Sequence, residues 1–412
     1  MSETTAERTA GTDAPASSDG AGPTDADGGA DSTAGRGETS SPADSRARWR
    51  RPIPDEADED EHDDARVLVI TGLSHKNERH YGPLADVAGE TTLVCLEPER
   101  AIDDAEYVQV PEIGPRLLRV LLLFFVALYE GYRNEYDAVA SISLLPYGLY
   151  ALALKAVYGY PAHLGIIGID LDHHARQWYG AGPRWAFRQF DAISVPGSAH
   201  ARELVRMGVP EERIEILTNA IDVDTYHPIP ADIDAEYDFV WLGRFSAEKD
   251  PILFVRALAQ LEADGRDFQA AMVGTGSDRT AVIDEIAARG LEDRIDLPGW
   301  VDDPLSYYRR SDAFVLTSRR DALPLAMLEA MASGLAPIVP RVGSVPDVVT
   351  DGENGIVVPD RTPAAFARAM ARCLDDPGYR ADLADAAPAV RDEFEMDEAS
   401  EDWRRILSTL AG

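Results

Sequence analysis

Three stretches of this 412-residue chain gather side chains able to do chemistry. The first, Gly243–Lys249 (GRFSAEK), puts a glycine and two cations just past the apolar run Phe239–Leu242. Arg244 offers a planar fork and Lys249 a point charge, the pair a phosphate-bearing ligand needs. The same cations would equally serve as surface partners of Glu248 and Asp250. The second stretch, Arg319–Gly334 (RRDALPLAMLEAMASG), reads as a loop opening into a helix. The first-turn amides near Pro324–Met327 would point at an anion in the cleft, with Leu323, Pro324 and Leu325 as candidate donor contacts. Glu329 is the sole polar side chain of Leu325–Ala332, and a carboxylate in a helix apolar all round needs donors. A sugar or ribose diol supplies two hydroxyls; water or an arginine would satisfy it as well. The third stretch, Val273–Gly276, places Gly274 and Gly276 after a strand, where backbone and ligand can approach closely, though the full dinucleotide fingerprint is absent.

Other polar groups argue less. The triplets Asp170–Asp172 and Asp222–Asp224 have the spacing of a divalent-metal pair, but among 73 acidic residues such triplets arise by chance, and no metal site is expected. His173 and His174, near a strand end, read either as substrate contacts or as solvent-facing loop residues. Cys95 and Cys373 are far apart with no zinc or CxxC spacing, so neither a disulfide framework nor a metal cluster follows, and a reducing cytosol fits.

These groups need a scaffold. Arg66–Thr71, Thr91–Cys95, Asp137–Ile142, Ala162–Ile167, Asp191–Val195 and Ile214–Leu217 are short apolar runs, the mark of strands buried on both faces. Helix-length segments lie between them, among them Ile113–Tyr132, Tyr147–Tyr158 and Ala199–Met207. A second series follows: strands at Phe239–Leu242, Phe268–Val273, Ala313–Thr317 and Pro337–Val339, with a helix at Pro324–Ser333 closed by Gly334. Asp250-Pro251 and Thr362-Pro363 read as N-caps with proline at the first helical position. Alternation of this kind predicts parallel sheets covered by helices. The expected organisation is an acidic disordered tail, 1–65; an α/β domain, 66–220; a linker, 221–234; a second α/β domain, 235–392; and a last helix, 393–412, able to cross back to the first domain. Two such domains leave a cleft at their strand carboxyl ends, where open α/β sheets bind ligands.

Composition narrows the partners. The formal charge is −34, from 73 acidic against 39 basic residues, and only three of the latter are lysines (Lys76, Lys155, Lys249). Such a charge argues against an electrostatic nucleic-acid footprint and against a polybasic grip on anionic lipid. Acid-rich, lysine-poor composition resembles that of proteins kept soluble in concentrated salt, so the acidity reads as solvent adaptation. Residues 1–52 contain no Val, Ile, Leu or Phe, so they cannot bury enough surface to offset ordering, and no chemistry is assigned to the tail. The apolar stretch Leu117–Tyr129 is too short to span a bilayer and reads as core packing, with a membrane-surface role as the other option. No signal pattern opens the chain, so a cytoplasmic protein, soluble or peripheral at the inner membrane face, is expected.

Together these segments resemble the retaining glycosyltransferases of family 4, with the GT-B fold of two Rossmann-like doubly wound domains facing across a cleft. The resemblance runs through most of 66–405 and is strongest in GRFSAEKD, VGTGSDR, LPGWVDDPLSYYRRSDAFVLTS, RRDALPLAMLEAMASGLAPIVPRVGSVPDVV and TDGENGIVV. PEERIEILTNAIDVDTYHP resembles the family segment ending in N-G-I-D, with Ala220 for Gly. The family signature is two glutamates separated by seven residues; here they are Asp321, one methylene shorter, and Glu329. The resemblance implies that Glu329 binds the nucleotide ribose, that Asp321 touches the transferred sugar, and that Arg244 and Lys249, after Gly243, hold the donor diphosphate. It further places Gly274 and Gly276 near the nucleotide, Trp300 and Val301 beside the base, and Gly72 with the Gly168–Asp170 stretch and His173 on the acceptor side.

The function so implied is metal-independent transfer of a hexose from a UDP- or GDP-sugar to a lipid-linked or saccharide acceptor, with retention of configuration and no cofactor. Peripheral membrane contact is compatible with it; nucleic acid is not. Two alternatives stay open: a catalytically weakened nucleotide-sugar-binding protein, motivated by Asp321, and a GT-B epimerase or phosphorylase.

Overall fold

The computed structural model describes residues 42–50, 64–72, 77–97, 102, 104–172, 175, 177, 180–228 and 235–411; His173, His174 and the rest of the expected tail lie outside them. The first apolar series forms seven strands: β1 (Arg66–Thr71), β2 (Glu90–Cys95), β3 (Ala105–Gln109), β4 (Ala138–Ile142), β5 (Ala162–Gly165), β6 (Ala192–Val195) and β7 (Ile214–Ile216). They pair in parallel in the order β3-β2-β1-β4-β5-β6-β7. The second series forms β8 (Tyr237–Leu242), β9 (Ala270–Val273), β10 (Ile295–Gly299), β11 (Ser311–Val315), β12 (Ala336–Pro340) and β13 (Ile356–Val358). Their order is β10-β9-β8-β11-β12-β13, again parallel. The strand order of each sheet reverses once, between β1 and β4 and between β8 and β11, and ligands of doubly wound sheets collect at such switch points.

Crossover helices explain the continuous apolar runs, because a strand covered on both faces has no side to keep polar. The described helices are α1 (Pro42–Ala47), α2 (Asn77–Ala85), α3 (Arg116–Arg133), α4 (Leu149–Tyr158), α5 (Ile169–Asp172), α6 (Ala181–Phe187) and α7 (Ser198–Arg206). After the linker come α8 (Pro251–Ala263), α9 (Arg279–Arg289), α10 (Leu305–Tyr308), α11 (Leu325–Ala332), α12 (Pro363–Asp375), α13 (Pro377–Ala386), α14 (Val390–Glu393) and α15 (Met396–Ala411). Thr362 caps α12, its hydroxyl accepting from the Ala365 amide at 3.2 Å.

Several expectations are corrected. Residues 42–50 are not a solvated arm: Trp49 is buried, and Arg46 is buried with its guanidinium 4.2 Å from the Phe394 ring centre. The apolar stretch on α3 is core on one face only: Leu123 and Ala127 are buried and Val120, Leu122, Val126 and Leu128 pack partly buried against the first sheet's core, whereas Leu117, Leu121, Phe125 and Tyr129 are exposed. Asp250 makes no N-cap bond; it adopts a left-handed backbone (φ 51°), and its carboxylate takes Arg361 at 2.6 Å and Arg319 at 2.8 Å. The charge pair holds the loop where a cap would have held the helix.

Helix α15 packs on α2 and on β5–β7, with Trp403 fully buried and its indole N–H donating to the His80 carbonyl at 3.0 Å. The two sheets are tied where their loops meet. Asp347 accepts from the Ser198 amide (2.7 Å) and hydroxyl (2.6 Å) at the start of α7 and from Ser45 (3.0 Å). Asp402, fully buried, accepts from the Thr218 amide (2.9 Å) and hydroxyl (2.6 Å), from Arg50 (3.1 Å) and from Arg405 (2.9 Å).

Candidate functional site

The chain leaves β8 through Gly243–Asp250 and β11 through Leu316–Pro324, so both loops rise at the second sheet's switch point. The first loop is braced from behind by the turn after β9. The Gly243 amide donates to the Val273 carbonyl at 3.0 Å and the Phe245 amide to the Thr275 carbonyl at 2.9 Å. A Cβ on Gly274 would lie 2.0 Å from the Gly243 carbonyl oxygen, and one on Gly276 2.3 Å from that of Phe245. Both glycines are therefore required by the close approach of backbone to backbone.

The two loops are cross-linked by polar contacts. Thr317 shares its hydroxyl proton between the carbonyls of Lys249 (3.0 Å) and Asp250 (2.9 Å) while accepting from the Trp241 indole (2.8 Å). The Arg319 amide donates to the Glu248 carbonyl at 2.7 Å, and Arg320 pairs with Glu248 at 2.6 Å. Lys249 forms an ion pair with Asp321, whose carboxylate also accepts from Ser318 at 3.1 Å. Arg244 is exposed and has no ion-pair partner among the described residues.

Beyond the second loop, α11 begins at Leu325 with an extended Pro324 and no side-chain cap; the Met327 and Leu328 amides donate to the Pro324 carbonyl at 3.1 and 3.4 Å, which leaves those of Leu325 and Ala326 to face an anion. One turn further in, Glu329 is buried. Its closest described donors are the Tyr308 hydroxyl, 3.4 Å from Oε2, and Arg79 of α2, 4.0 Å from Oε1. Burial raises the Glu329 carboxyl above the ordinary carboxylate range, opposed by Arg79 and by the Tyr308 hydroxyl. The Tyr308 and Tyr226 hydroxyls are pushed up by burial and by the Glu329 charge.

Between the two sheets lies an open cleft of about 270 Å³. Gly243, Lys249, Asp321, Leu323, Pro324 and Leu325 line it from one side; His80, Gly165, Ser194 and Thr218 line it from the other. Glu329 sits beneath the start of α11, and Gly274 and Gly276 lie behind the first loop. Trp300 is 74% exposed, its indole N–H 3.2 Å from Asp302, and Val301 packs against the core of the second sheet. On the other side, Gly72 accommodates the Tyr147 ring, whose hydroxyl oxygen lies 1.7 Å from where a Cβ would be. Asp170 is buried behind β5, with one carboxylate oxygen lacking a hydrogen-bond partner; burial pushes its pKa up to about 6. His173 lies outside the described residues.

The structure adds residues the sequence did not announce. Arg79 sits in Thr71–His80, a segment read only for its glycine, and nothing local marks it as a partner of Glu329, 250 positions away. Asn219 donates to the Leu323 carbonyl at 3.3 Å across the cleft floor. Among the described residues no cluster of three or more His, Cys, Asp or Glu has the geometry to hold a metal ion.

Two family profiles match consecutive segments: "Glycosyltransferase Family 4" over residues 84–225 and "Glycosyl transferases group 1" over 222–390. Among curated proteins, an alpha-D-kanosaminyltransferase of Streptomyces kanamyceticus is 33% identical over 42% of this chain and 45% of its own length. A D-inositol 3-phosphate glycosyltransferase of Xylanimonas cellulosilytica is 29% identical over 51% of this chain and 55% of its own. The chain thus spans about half the length of these two relatives. A lipopolysaccharide core biosynthesis mannosyltransferase of Rhizobium leguminosarum is 27% identical over 58% and 70%. Among solved structures, Anabaena HepE in complex with UDP-glucose superposes with a TM-score of 0.70 at 18% identity, over 83% of this chain and 99% of that one. The lipopolysaccharide outer core galactosyltransferase WaaB gives 0.62 at 19%, over 84% and 99%.

Proposed function

The chain belongs to the glycosyltransferases of group 1 and family 4, and from that premise we propose that it moves a hexose from a nucleotide-diphosphate sugar to a lipid-linked or saccharide acceptor, with retention of configuration. The observation that carries the reading is the convergence of Lys249, Asp321 and the open start of α11 on one wall of the cleft, with Glu329 below. In this reading the donor diphosphate lies against Lys249, Arg244 and the first amides of α11, where charge grows on the leaving phosphate as the sugar bond breaks. The Lys249 ammonium has three protons, so it can keep Asp321 and still donate to phosphate. Glu329 accepts the ribose hydroxyls, replacing its long contacts to Tyr308 and Arg79. The complex of Anabaena HepE with UDP-glucose supports a UDP-linked donor, and the mannosyltransferase relative supports a hexose as the group moved. His80, Gly165 and Thr218, from the opposite wall, bound the space left for the acceptor.

The reading is tested by melting the protein with UDP, GDP and ADP, wild type beside Glu329→Ala, and by turnover of Lys249→Ala. One nucleotide should raise the wild-type melting temperature well above that of the variant, by mass action on the folded state. Lys249→Ala should cut transfer at least a hundredfold, the range reached when a donor to a developing oxyanion is removed. No shift with any nucleotide, together with normal turnover in Lys249→Ala, would remove the assignment.

A second reading, a nucleotide-sugar-binding protein with weakened turnover, is favoured by one observation: the short Asp321 carboxylate is taken up by Lys249 and Ser318. Asp321→Glu separates the two. Turnover gained by the longer side chain supports the binding protein; turnover unchanged or lowered supports the enzyme.

A further inference from the structure

Glu329 is a buried carboxylate with less than one full hydrogen bond. The Tyr308 hydroxyl has a single proton and faces two acceptors, the Ala326 carbonyl at 3.2 Å and Glu329 Oε2 at 3.4 Å. No other hydrogen bond reaches that carboxylate among the described residues. An acid so placed is driven towards its neutral form unless an opposite charge lies within about 6 Å. Arg79 Nη2 is 4.0 Å from Oε1, and among the described residues no second cation is within ion-pair distance of Glu329. Charges on the elements packed against α11 are committed elsewhere. Arg391 of α14 donates to the Val223 carbonyl at 3.0 Å, Glu393 pairs with Arg46 at 3.5 Å, and Asp312 of β11 pairs with Arg380 at 3.0 Å, while Asp392 is exposed. On its far side Arg79 faces Asp222 of the linker, which does not claim it. The oxygens of Asp222 accept within its own turn, from the Asp224 and Thr225 amides at 3.1 Å and from the Thr225 hydroxyl at 2.5 Å.

We propose that Arg79 is a positioning residue for the nucleotide: from the first half of the molecule it supplies the countercharge that lets Glu329, in the second half, stand as a carboxylate and accept two hydroxyls. A carboxylate offers both oxygens to a diol, whereas a carboxylic acid uses one of them as a donor. Arg79 arrives on α2, which follows β1 and is covered by α15, while Glu329 rides on α11 after β11. The acceptor for a ligand of the second half is thus completed from the first. A guanidinium suits the task, because it stays charged at any working pH. At 4.0 Å it acts through space and leaves the lone pairs of Glu329 to the incoming hydroxyls. The opposing effects of burial and of Arg79 on the Glu329 carboxyl have the signs this geometry requires. The ribose step alone rests on the transferase reading; the charge pairing does not.

The first test needs no nucleotide. Arg79→Met keeps the apolar stem and removes the charge, so the Glu329 carboxyl of the folded variant should titrate at higher pH than in wild type. A group whose folded pKa is raised loses its contribution to stability as pH rises. Denaturant melts from about pH 4 to about pH 8 should therefore show variant and wild type close at the acid end and diverging, the variant weaker, as pH rises. Arg79→Lys, which keeps the charge, should follow wild type. In a Glu329→Gln background the same Arg79→Met change should show no divergence, which separates Glu329 from Asp222 as its source. A gap of equal size at every pH, or a divergence that survives Glu329→Gln, overturns the proposal. The second test is calorimetry with UDP and GDP. Arg79→Met should weaken binding by about tenfold or more near pH 6 and by less than about threefold near pH 9, where Glu329 is charged in both proteins. A loss of the same size at both values would mean that Arg79 touches the nucleotide itself, and would overturn the positioning role. Wild type that binds neither nucleotide, with the melts diverging as described, would overturn the nucleotide role and the donor reading together while leaving the charge pairing in place.

Discussion

Asp170 and Glu329 are both carboxylates held out of water, and each gives a pH signature of known sign. The folded-state pKa of Asp170 is about 6 against an ordinary 3.8, so the folded chain binds the extra proton between those values and the unfolded chain does not. Stability contributed by that proton is present at low pH and lost as pH rises from about 4 to 6. Asp170→Asn should therefore stabilise the protein by up to about 3 kcal/mol at pH 7.5 and by little at pH 3.5, read from denaturant melts of variant against wild type. Equal gains at both values would show that the buried charge is not the cause. For Glu329, burial raises the pKa, so acidification converts its carboxylate into a poorer acceptor. Nucleotide affinity should fall with pH in wild type; in Glu329→Gln it should be weaker by about tenfold or more and flat, as calorimetry would show. The lone acid in LAMLEAMA marks Glu329 as a candidate from sequence, with a diol, water or an arginine each able to satisfy it. Which partners it has is not legible there, since Arg79 and Tyr308 reach Glu329 only through the fold.

At the scale of elements, Asp347 does for α7 what a local N-cap does elsewhere, but from the other sheet. Its carboxylate takes the Ser198 amide and hydroxyl at the positive end of that helix. Asp347→Ala would leave a buried amide unpaired and should cost about 2–4 kcal/mol in a thermal or denaturant melt, with Asp347→Asn recovering part of it. Sequence patterns found the central strands, where burial is two-sided, as in RVLVIT, and missed the edge strands β3 (AEYVQ), β10 (IDLPG) and β13 (IVV), two of them partly exposed and the third only three residues long. For α3 the apolar spacing correctly indicated a helix and could not say which way the stripe turns, because periodicity is the same whether the covering surface is protein or something else.

At the scale of the molecule, two sheets share one chain that crosses twice: forward through 217–237 and back through α15. The return makes the first sheet depend on the last residues. Trp403, Ile406 and Leu407 belong to its core, so Trp403→Ala should destabilise by about 3–5 kcal/mol. Hydrogen exchange should show the loss concentrated in β1, β5 and α2, with β8–β12 protected as before; uniform loss would mean that the two halves unfold as one unit. Residues 45–50 add a strap over the same junction, through Arg50 to Asp402 and Ser45 to Asp347.

What can be read along the chain is what depends on neighbours in sequence: strand and helix alternation, the parallel architecture, the GRFSAEK and RRDALPLAMLEAMASG segments and the loops they form. These follow from burial periodicity and turn chemistry, which act over a few residues. Contacts between distant segments obey no such rule. Lys249 meets Asp321, Arg79 approaches Glu329, and Arg46, in a stretch whose composition reads as unstructured, is buried against Phe394. Each of those pairings is set by how the two sheets and the returning helix pack, and by the cost of leaving a buried charge without a counterpart.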